Sequence, residues 1–201
     1  MLKLYDHPLS GNCYKARLAL SQLGVEYERV LVDIFKGEHL GPEHQEMNPN
    51  MKIPVLEDGG FIMWESNAIL LYLGKKYAPN SLFPEDPEAF GRVSQWLFFG
   101  KTTIDPNLAL ARFCTRFVEP EKRDEKELKR LHEQGGEALG VLERHLSQNE
   151  FLAGPYSIAD IGCYPYVDLA PEGGFDLGDY PSVQSWRERV RSTPGYIKME
   201  D

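Results

Sequence analysis

The stretch Ile53-Pro54-Val55-Leu56-Glu57-Asp58-Gly59-Gly60-Phe61-Ile62-Met63-Trp64-Glu65-Ser66-Asn67 decides the fold. Two short apolar runs flank the turn signal Asp58-Gly59-Gly60, so 53–64 reads as a β-hairpin. Glu65-Ser66-Asn67 then opens a helix with Ile69, Leu70, Leu73 and Tyr77 on its apolar face, ending before Pro79. Upstream, residues 1–5 read as a strand. Residues 11–23 read as a helix with Ala16, Ala19, Leu20 and Leu23 on one face and Gly24 as terminator, and 27–32 as a second strand. That is a β-α-β start, and 36–50 between it and the hairpin is a polar stretch.

Downstream the pattern changes. Residues 78–87 carry Pro79, Pro84 and Pro87, and no clear strand pattern follows, which places a domain boundary there. Phe90, Val93, Leu97 and Ile104 are spaced for a long helix that Gly100 weakens and Pro106 kinks. Leu128, Leu131, Ala138, Leu142 and Leu146 mark another helix. Ser157 and Asp160 form a capping box at the start of a third, with Tyr156 and Ile161 placed for a hydrophobic staple. Val183, Trp186 and Val190 mark the last. The chain therefore reads as a small α/β domain followed by an all-helical one.

Composition narrows the function. With 201 residues, 42% hydrophobic and 26% charged, the chain has the balance of an ordinary globular protein. A net charge of −9 argues against nucleic acid, whose binding needs clustered Lys and Arg. The densest charge run, 119–130, mixes five acids with five bases and reads as a solvated helix start or loop. The longest apolar run, 68–73, is far below the roughly 18 residues of a membrane span, and the N-terminus enters a strand pattern rather than a signal peptide. Three cysteines, Cys13, Cys114 and Cys163, with no C-x-x-C pair, suit a reducing compartment; the cytoplasm is expected. No His or Cys spacing suggests a metal site.

Three motifs carry chemistry: Tyr5-Asp6-His7-Pro8-Leu9-Ser10-Gly11-Asn12-Cys13-Tyr14-Lys15, Asn48-Pro49-Asn50-Met51-Lys52-Ile53-Pro54-Val55-Leu56, and Glu65-Ser66-Asn67-Ala68-Ile69-Leu70-Leu71-Tyr72-Leu73. In order and spacing they resemble the cytosolic glutathione S-transferase superfamily. Within it the chain looks closest to the bacterial theta-like and Nu-like groups, which share the hydroxyl residue before the first helix and the stretch Lys36-Gly37-Glu38-His39-Leu40. The resemblance covers 1–77 and, in the helical part, rests on the Ser157 and Asp160 box. It implies a thioredoxin-like glutathione-binding domain over 1–77, a linker over 78–87 and an all-α C-terminal domain over 88–201 that contributes the electrophile pocket. It also implies a homodimer.

The motifs fit the ligand physically. Glutathione has two carboxylates, a peptide backbone and a thiol, so its site needs anion receptors, a main-chain edge and a thiolate stabiliser. Glu65-Ser66 opens a helix whose free N–H groups receive a carboxylate, while Ser66 Oγ donates and Glu65 pairs with the amino group. Read without the resemblance, Ser66 is an N-cap. By resemblance, Ile53 precedes a cis-proline and pairs with the peptide through its main chain, and Lys52 and His39 lie near the glycyl carboxylate.

A free thiol with a pKa of about 8.5 is mostly protonated at neutral pH, so the site must favour the thiolate. Ser10 stands where theta-like enzymes carry their serine and Nu-like ones their threonine; helix capping is its other reading. Asn12 matches a Nu-like asparagine and offers an amide N–H to the same sulfur. Cys13, in the first helical turn, is the rival for redox chemistry, but Ser10-Gly11-Asn12-Cys13 lacks the first cysteine of a dithiol pair, and a core-facing role is favoured. Trp96, Phe98, Phe99 and Phe113 are candidate pocket aromatics, with the core as their alternative. The expected function is conjugation of glutathione to a hydrophobic electrophile. The alternatives are glutathione-dependent disulfide or peroxide reduction of the Nu-like type, and a non-catalytic binding module.

Overall fold

A computed structural model describes all of residues 1–201, and the chain divides into two compact units: residues 1–83 with 194–201, and residues 84–193. The first is built on β1 (Leu2–Asp6), α1 (Gly11–Gln22), β2 (Glu28–Leu31), a short 3-10 turn (Glu38–Leu40), α2 (Pro42–Met47), β3 (Val55–Asp58), β4 (Phe61–Trp64) and α3 (Ser66–Lys76). The sheet order is β2-β1-β3-β4. β1 runs parallel to β2 and antiparallel to β3, as a β-α-β start followed by a hairpin requires. Gly59 and Gly60 both take positive φ, 57° and 92°, which the two-residue hairpin turn needs. The polar stretch 36–50 is more ordered than its composition suggests: Pro42 starts α2, which buries only His44.

Strand alternation sets the core. Leu2, Leu4 and Asp6 are the buried set of β1, and α1 packs against α3. Leu4, Leu18, Leu20, Leu56, Ile69, Leu70 and Leu73 are all fully buried, each contributing about 1.5–3 kcal/mol. Three charged side chains lie in the same interior. Asp6 and Arg17 are 0% and 1% exposed, and Lys15 is also fully buried.

Arg17 is covered by the end of the chain. Residues 194–201, expected in the helical domain, instead fold back over α1 in the first unit. Ser21 Oγ donates to Gly195 O at 2.8 Å, Tyr14 Oη to Ile197 O at 2.6 Å and Arg17 Nη2 to Met199 O at 2.8 Å. Gly195 has φ 73°, and a Cβ there would lie 2.9 Å from Gln22 Cα, so only glycine lets the tail approach. An α1 with one apolar stripe thus becomes a helix buried on nearly every side. Arg17 also donates to Asp6 Oδ2 at 3.5 Å and to Pro8 O at 3.4 Å; Arg29 reaches Asp6 as well and donates to Asp201 O at 2.9 Å.

The second unit contains α4 (Pro87–Phe99), a π-helical stretch (Gly100–Ala109), α5 (Leu110–Phe117), α6 (Glu125–Leu146), α7 (Ile158–Asp168) and α8 (Pro181–Arg191). The expected kink at Pro106 is this π-helical stretch: the wider turn accommodates a residue with no N–H to donate. The first part of the charge run is a short 3-10 turn (Pro120–Lys122), and Asp124 caps α6 through Lys126 N and Glu127 N. The Ser157 and Asp160 capping box is present. Asp160 does more than cap, because its fully buried carboxylate also accepts from Trp186 Nε1 at 2.8 Å and Leu152 N at 3.0 Å, beside Ser157 N at 3.0 Å. No helix is long and apolar enough to cross a membrane.

Two stability predictions follow from these buried charges. Arg17→Met removes a guanidinium facing Asp6 and should lower unfolding free energy by about 3–5 kcal/mol in urea, far more than an exposed arginine would. Burial pushes the Asp160 carboxyl from 3.8 up to about 6, against the pull of its N–H donors. The folded state then holds the proton more tightly than the unfolded chain, so this group's contribution to stability falls as pH rises from about 4 through about 6. Asp160→Asn should be less stable by about 1–3 kcal/mol and should lack this loss, so that in urea titrations its deficit against the wild type is larger at pH 4.5 than at pH 7.

Candidate functional site

The start of α1 brings the first set of candidate residues together. Ser10 is the N-cap, extended at φ −88° and ψ 114°, and its Oγ accepts from Cys13 N at 3.3 Å. Capping is therefore one of its roles. A serine hydroxyl carries one proton and two lone pairs, so accepting that N–H leaves the rotatable O–H as a donor. Cys13 is fully buried. Burial, then the nearby Asp6 charge, pushes its thiol well above the ordinary cysteine range, with the Ser10 side chain pulling only partly back. It is a core residue, and both its burial and the raised pKa disfavour the thiolate.

Asn12, the second residue of α1, lies half-buried and meets the third motif directly: Ser66 Oγ donates to Asn12 Oδ1 at 3.0 Å. Ser66 is the first residue of α3 and is 2% exposed. Its single O–H, read from the sequence as a donor to a ligand carboxylate, is directed to Asn12 here. The main-chain N–H groups of Ser66 and Ala68 have no partner within the chain, as expected of the orphan donors at a helix start.

Glu65, at the turn into α3, has φ 70° and ψ 111°, a backbone that L-residues with a Cβ rarely adopt. This turn lets β4 run straight into α3 with the helix N-terminus at the sheet's edge. Asn50 Nδ2 donates to Glu65 Oε1 at 3.4 Å.

The second motif is held from behind. The Ile53-Pro54 bond is cis, and no hydrogen bond of the chain uses the main chain of Ile53. Lys52 projects an exposed side chain while its carbonyl is fixed by Asn48 Nδ2 at 2.7 Å and His44 Nε2 at 3.0 Å. His39 sits on the 3-10 turn with Nδ1 buried and unpartnered; burial, then the charge of His44, lowers its pKa. No hydrogen bond joins His39 to the other candidate residues. His44, Asn48 and Asn50 escaped the sequence reading as supporting residues. Asn48 and Asn50 lie inside a quoted motif, whereas nothing in the sequence singles out His44. A cavity of about 410 Å³ in the same unit is lined by Tyr5, Val30, Val32, Glu38, His44 and Met47.

The chain as a whole has counterparts among known proteins. The Glutathione S-transferase N-terminal domain family matches residues 1–75 and the Glutathione S-transferase C-terminal domain family matches 107–194. Glutathione S-transferase F10 of Arabidopsis thaliana is 35% identical over 96% of this chain and 93% of its own length. The crystal structure of a glutathione S-transferase from Pseudomonas fluorescens superposes with a TM-score of 0.94 at 42% identity, covering 100% of this chain and 99% of that one. A glutathione transferase from Burkholderia graminis, solved with two glutathione molecules bound per one protein subunit, superposes at 0.85 with 31% identity over 96% and 85% of the chains. The chain belongs to the glutathione S-transferase family of enzymes.

The strained Glu65 backbone gives a prediction. Glu65→Gly relieves a conformation costing about 1–3 kcal/mol while removing a carboxylate from the site. Its thermal midpoint should hold or rise while glutathione affinity, read by calorimetry, falls.

Proposed function

We propose that this enzyme binds glutathione across the three motifs, activates its thiol and conjugates it to a hydrophobic electrophile. The observation that carries the reading is the convergence of the starts of α1 and α3, through Ser66 and Asn12, in the same unit as the unpaired main chain of Ile53. In this reading the γ-glutamyl carboxylate takes the N–H groups at the start of α3, and Glu65 pairs with the amino group. Ile53 pairs with the cysteinyl main chain, and Lys52, aided by His39, attracts the glycyl carboxylate.

Ser10 and Asn12 face the sulfur. Hydrogen bonds donated to the charged form lower a thiol's pKa, so the proton leaves to solvent and a thiolate remains. The thiolate attacks the electrophilic carbon; the C–S bond forms as the leaving group departs with its bonding pair. Phe98 and Phe113, 70% and 50% exposed, are the aromatics available to an apolar substrate, whereas Trp96 belongs to the core at 8%.

A second reading, reduction of disulfides or peroxides, needs the same thiolate and a second thiol to resolve the mixed disulfide. The two glutathione molecules in the Burkholderia graminis relative favour keeping it. A homodimer in the cytoplasm is part of the proposal. Edge strand β4 leaves Phe61, Ile62 and Trp64 exposed beside its unpaired backbone, the kind of surface a second copy covers.

The test is glutathione affinity, then turnover with an aryl halide and with a glutathione mixed disulfide. Conjugation predicts aryl halide turnover that falls about 100-fold or more when Ser10 and Asn12 are both replaced by alanine. Turnover of the mixed disulfide alone would select the second reading. Binding without either turnover would leave a binding module, and no binding would overturn all enzymatic readings. Light scattering reads the dimer.

A further inference from the structure

We propose that residues 194–201 act as a strap that positions the thiol-activating serine: the strap orients the Arg17 guanidinium, which in turn holds the loop that carries Ser10. The inference rests on the reading above that Ser10 faces the glutathione sulfur.

Ser10 stands at the end of the short loop between β1 and α1. Its main chain is tied at both sides, Tyr14 N donating to Ser10 O at 2.9 Å and Ser10 N to His7 O at 3.0 Å. Between His7 and Ser10 lies Pro8, which has no N–H and whose carbonyl receives no main-chain donor. Arg17 Nη2 donates to that carbonyl at 3.4 Å, and the same nitrogen donates to Met199 O at 2.8 Å. A guanidinium Nη carries two protons, so this one atom joins a carbonyl of the loop to a carbonyl of the strap. The bond to the strap is the shorter. The strap sets where the guanidinium lies, and the loop follows.

The strap is matched to α1. The carbonyls of alternate residues, Gly195, Ile197 and Met199, receive Ser21, Tyr14 and Arg17, which are spaced i, i+3, i+7 on one helix face. Beyond Met199 the chain turns back, Lys198 N donating to Asp201 Oδ2 at 2.7 Å, and Asp201 O receives Arg29. Arg17 and Arg29 are the two cations that reach Asp6, so the strap holds both counter-ions of the buried carboxylate. Asp6 Oδ1 itself is buried and finds no hydrogen-bond partner in the chain. A guanidinium released from Met199 O therefore has a stronger acceptor close by: it turns to the free carboxylate oxygen, and Pro8 O loses its donor.

Gly195 allows the strap to be lifted without touching the site. Its φ is 73°, and a Cβ there would lie 2.9 Å from Gln22 Cα and 3.1 Å from Ser21 O, so Gly195→Ala displaces the strap while the loop, Arg17 and the glutathione-binding residues keep their side chains. The experiment compares wild type, Gly195→Ala, Ser10→Ala and the double variant well below their thermal midpoints. Hydrogen exchange reads the seating of 194–201. An ultraviolet titration at saturating glutathione reads the pKa of the bound thiol, and calorimetry at pH 5.5, where the thiol is protonated, reads affinity. Gly195→Ala should speed exchange in 194–201, raise the thiol pKa by about half to one pH unit and leave the affinity at pH 5.5 within about twofold. In the Ser10→Ala background the same change should add less than half of that rise.

Faster exchange in the strap with an unchanged thiol pKa would overturn the proposal, and so would an equal rise with and without Ser10. If Gly195→Ala does not fold or leaves the strap seated, Arg17→Lys decides. It keeps a positive charge beside Asp6 but not the planar fork that joins two carbonyls, and it must raise the thiol pKa by a similar amount. A wild-type pKa in that variant overturns the role of the strap. Failure of the wild-type enzyme to bind glutathione, or a thiol pKa unmoved by Ser10→Ala, would instead overturn the underlying reading.

Discussion

A carboxylate with no exposure at the end of the first strand has to be answered by positive charge, and much of the first unit is arranged to do so. Asp6 lies where β1 leaves the sheet, and Arg17 from α1 and Arg29 from β2 both reach it. Arg17 continues to the carbonyls of Pro8 and Met199. The loop between β1 and α1 is therefore pinned from beneath, and that loop sets where Ser10 and Asn12 stand. Neutralising a buried ion is here the same act as placing the start of a helix.

The site above it is assembled from backbone more than from side chains. The N-termini of α1 and α3 bring unpaired N–H groups and favourable dipole ends. The Ile53 main chain offers a strand-like edge. The Glu65 conformation is the cost of making β4 pass directly into α3, and it is tolerated because Asn50 and the start of the helix hold the turn. Side chains then refine this frame. Asn48 and His44 fix the carbonyl of Lys52, so the residue before Ile53 is anchored even though its ammonium group is in solvent.

Legibility in the sequence followed the range of the interactions. The hairpin, the first and third helices of the α/β unit and the Ser157 and Asp160 box are local patterns, and each was readable from residues within a few positions of one another. The π-helical stretch announced itself only as Gly100 and Pro106, since a wider turn leaves no periodicity of its own. The full burial of Arg17 was invisible, because the covering segment lies about 180 residues away. The residues supporting the site were hidden for the same reason. Ser66 and Asn12 were each singled out, yet the bond that makes them a pair spans 54 positions and has no signature along the chain.

The return of residues 194–201 to the first unit has a consequence for the order in which the protein is made. The α/β unit emerges from the ribosome before the helical one, but the carbonyl groups that receive Tyr14, Arg17 and Ser21 belong to residues some 170–185 positions further along the chain. Residues 84–193 must be synthesised in between, which takes roughly 5–20 s at ordinary elongation rates. During that interval α1 keeps an arginine against Asp6 without its outer cover. The nascent unit is thus completed only after the whole helical unit has been translated.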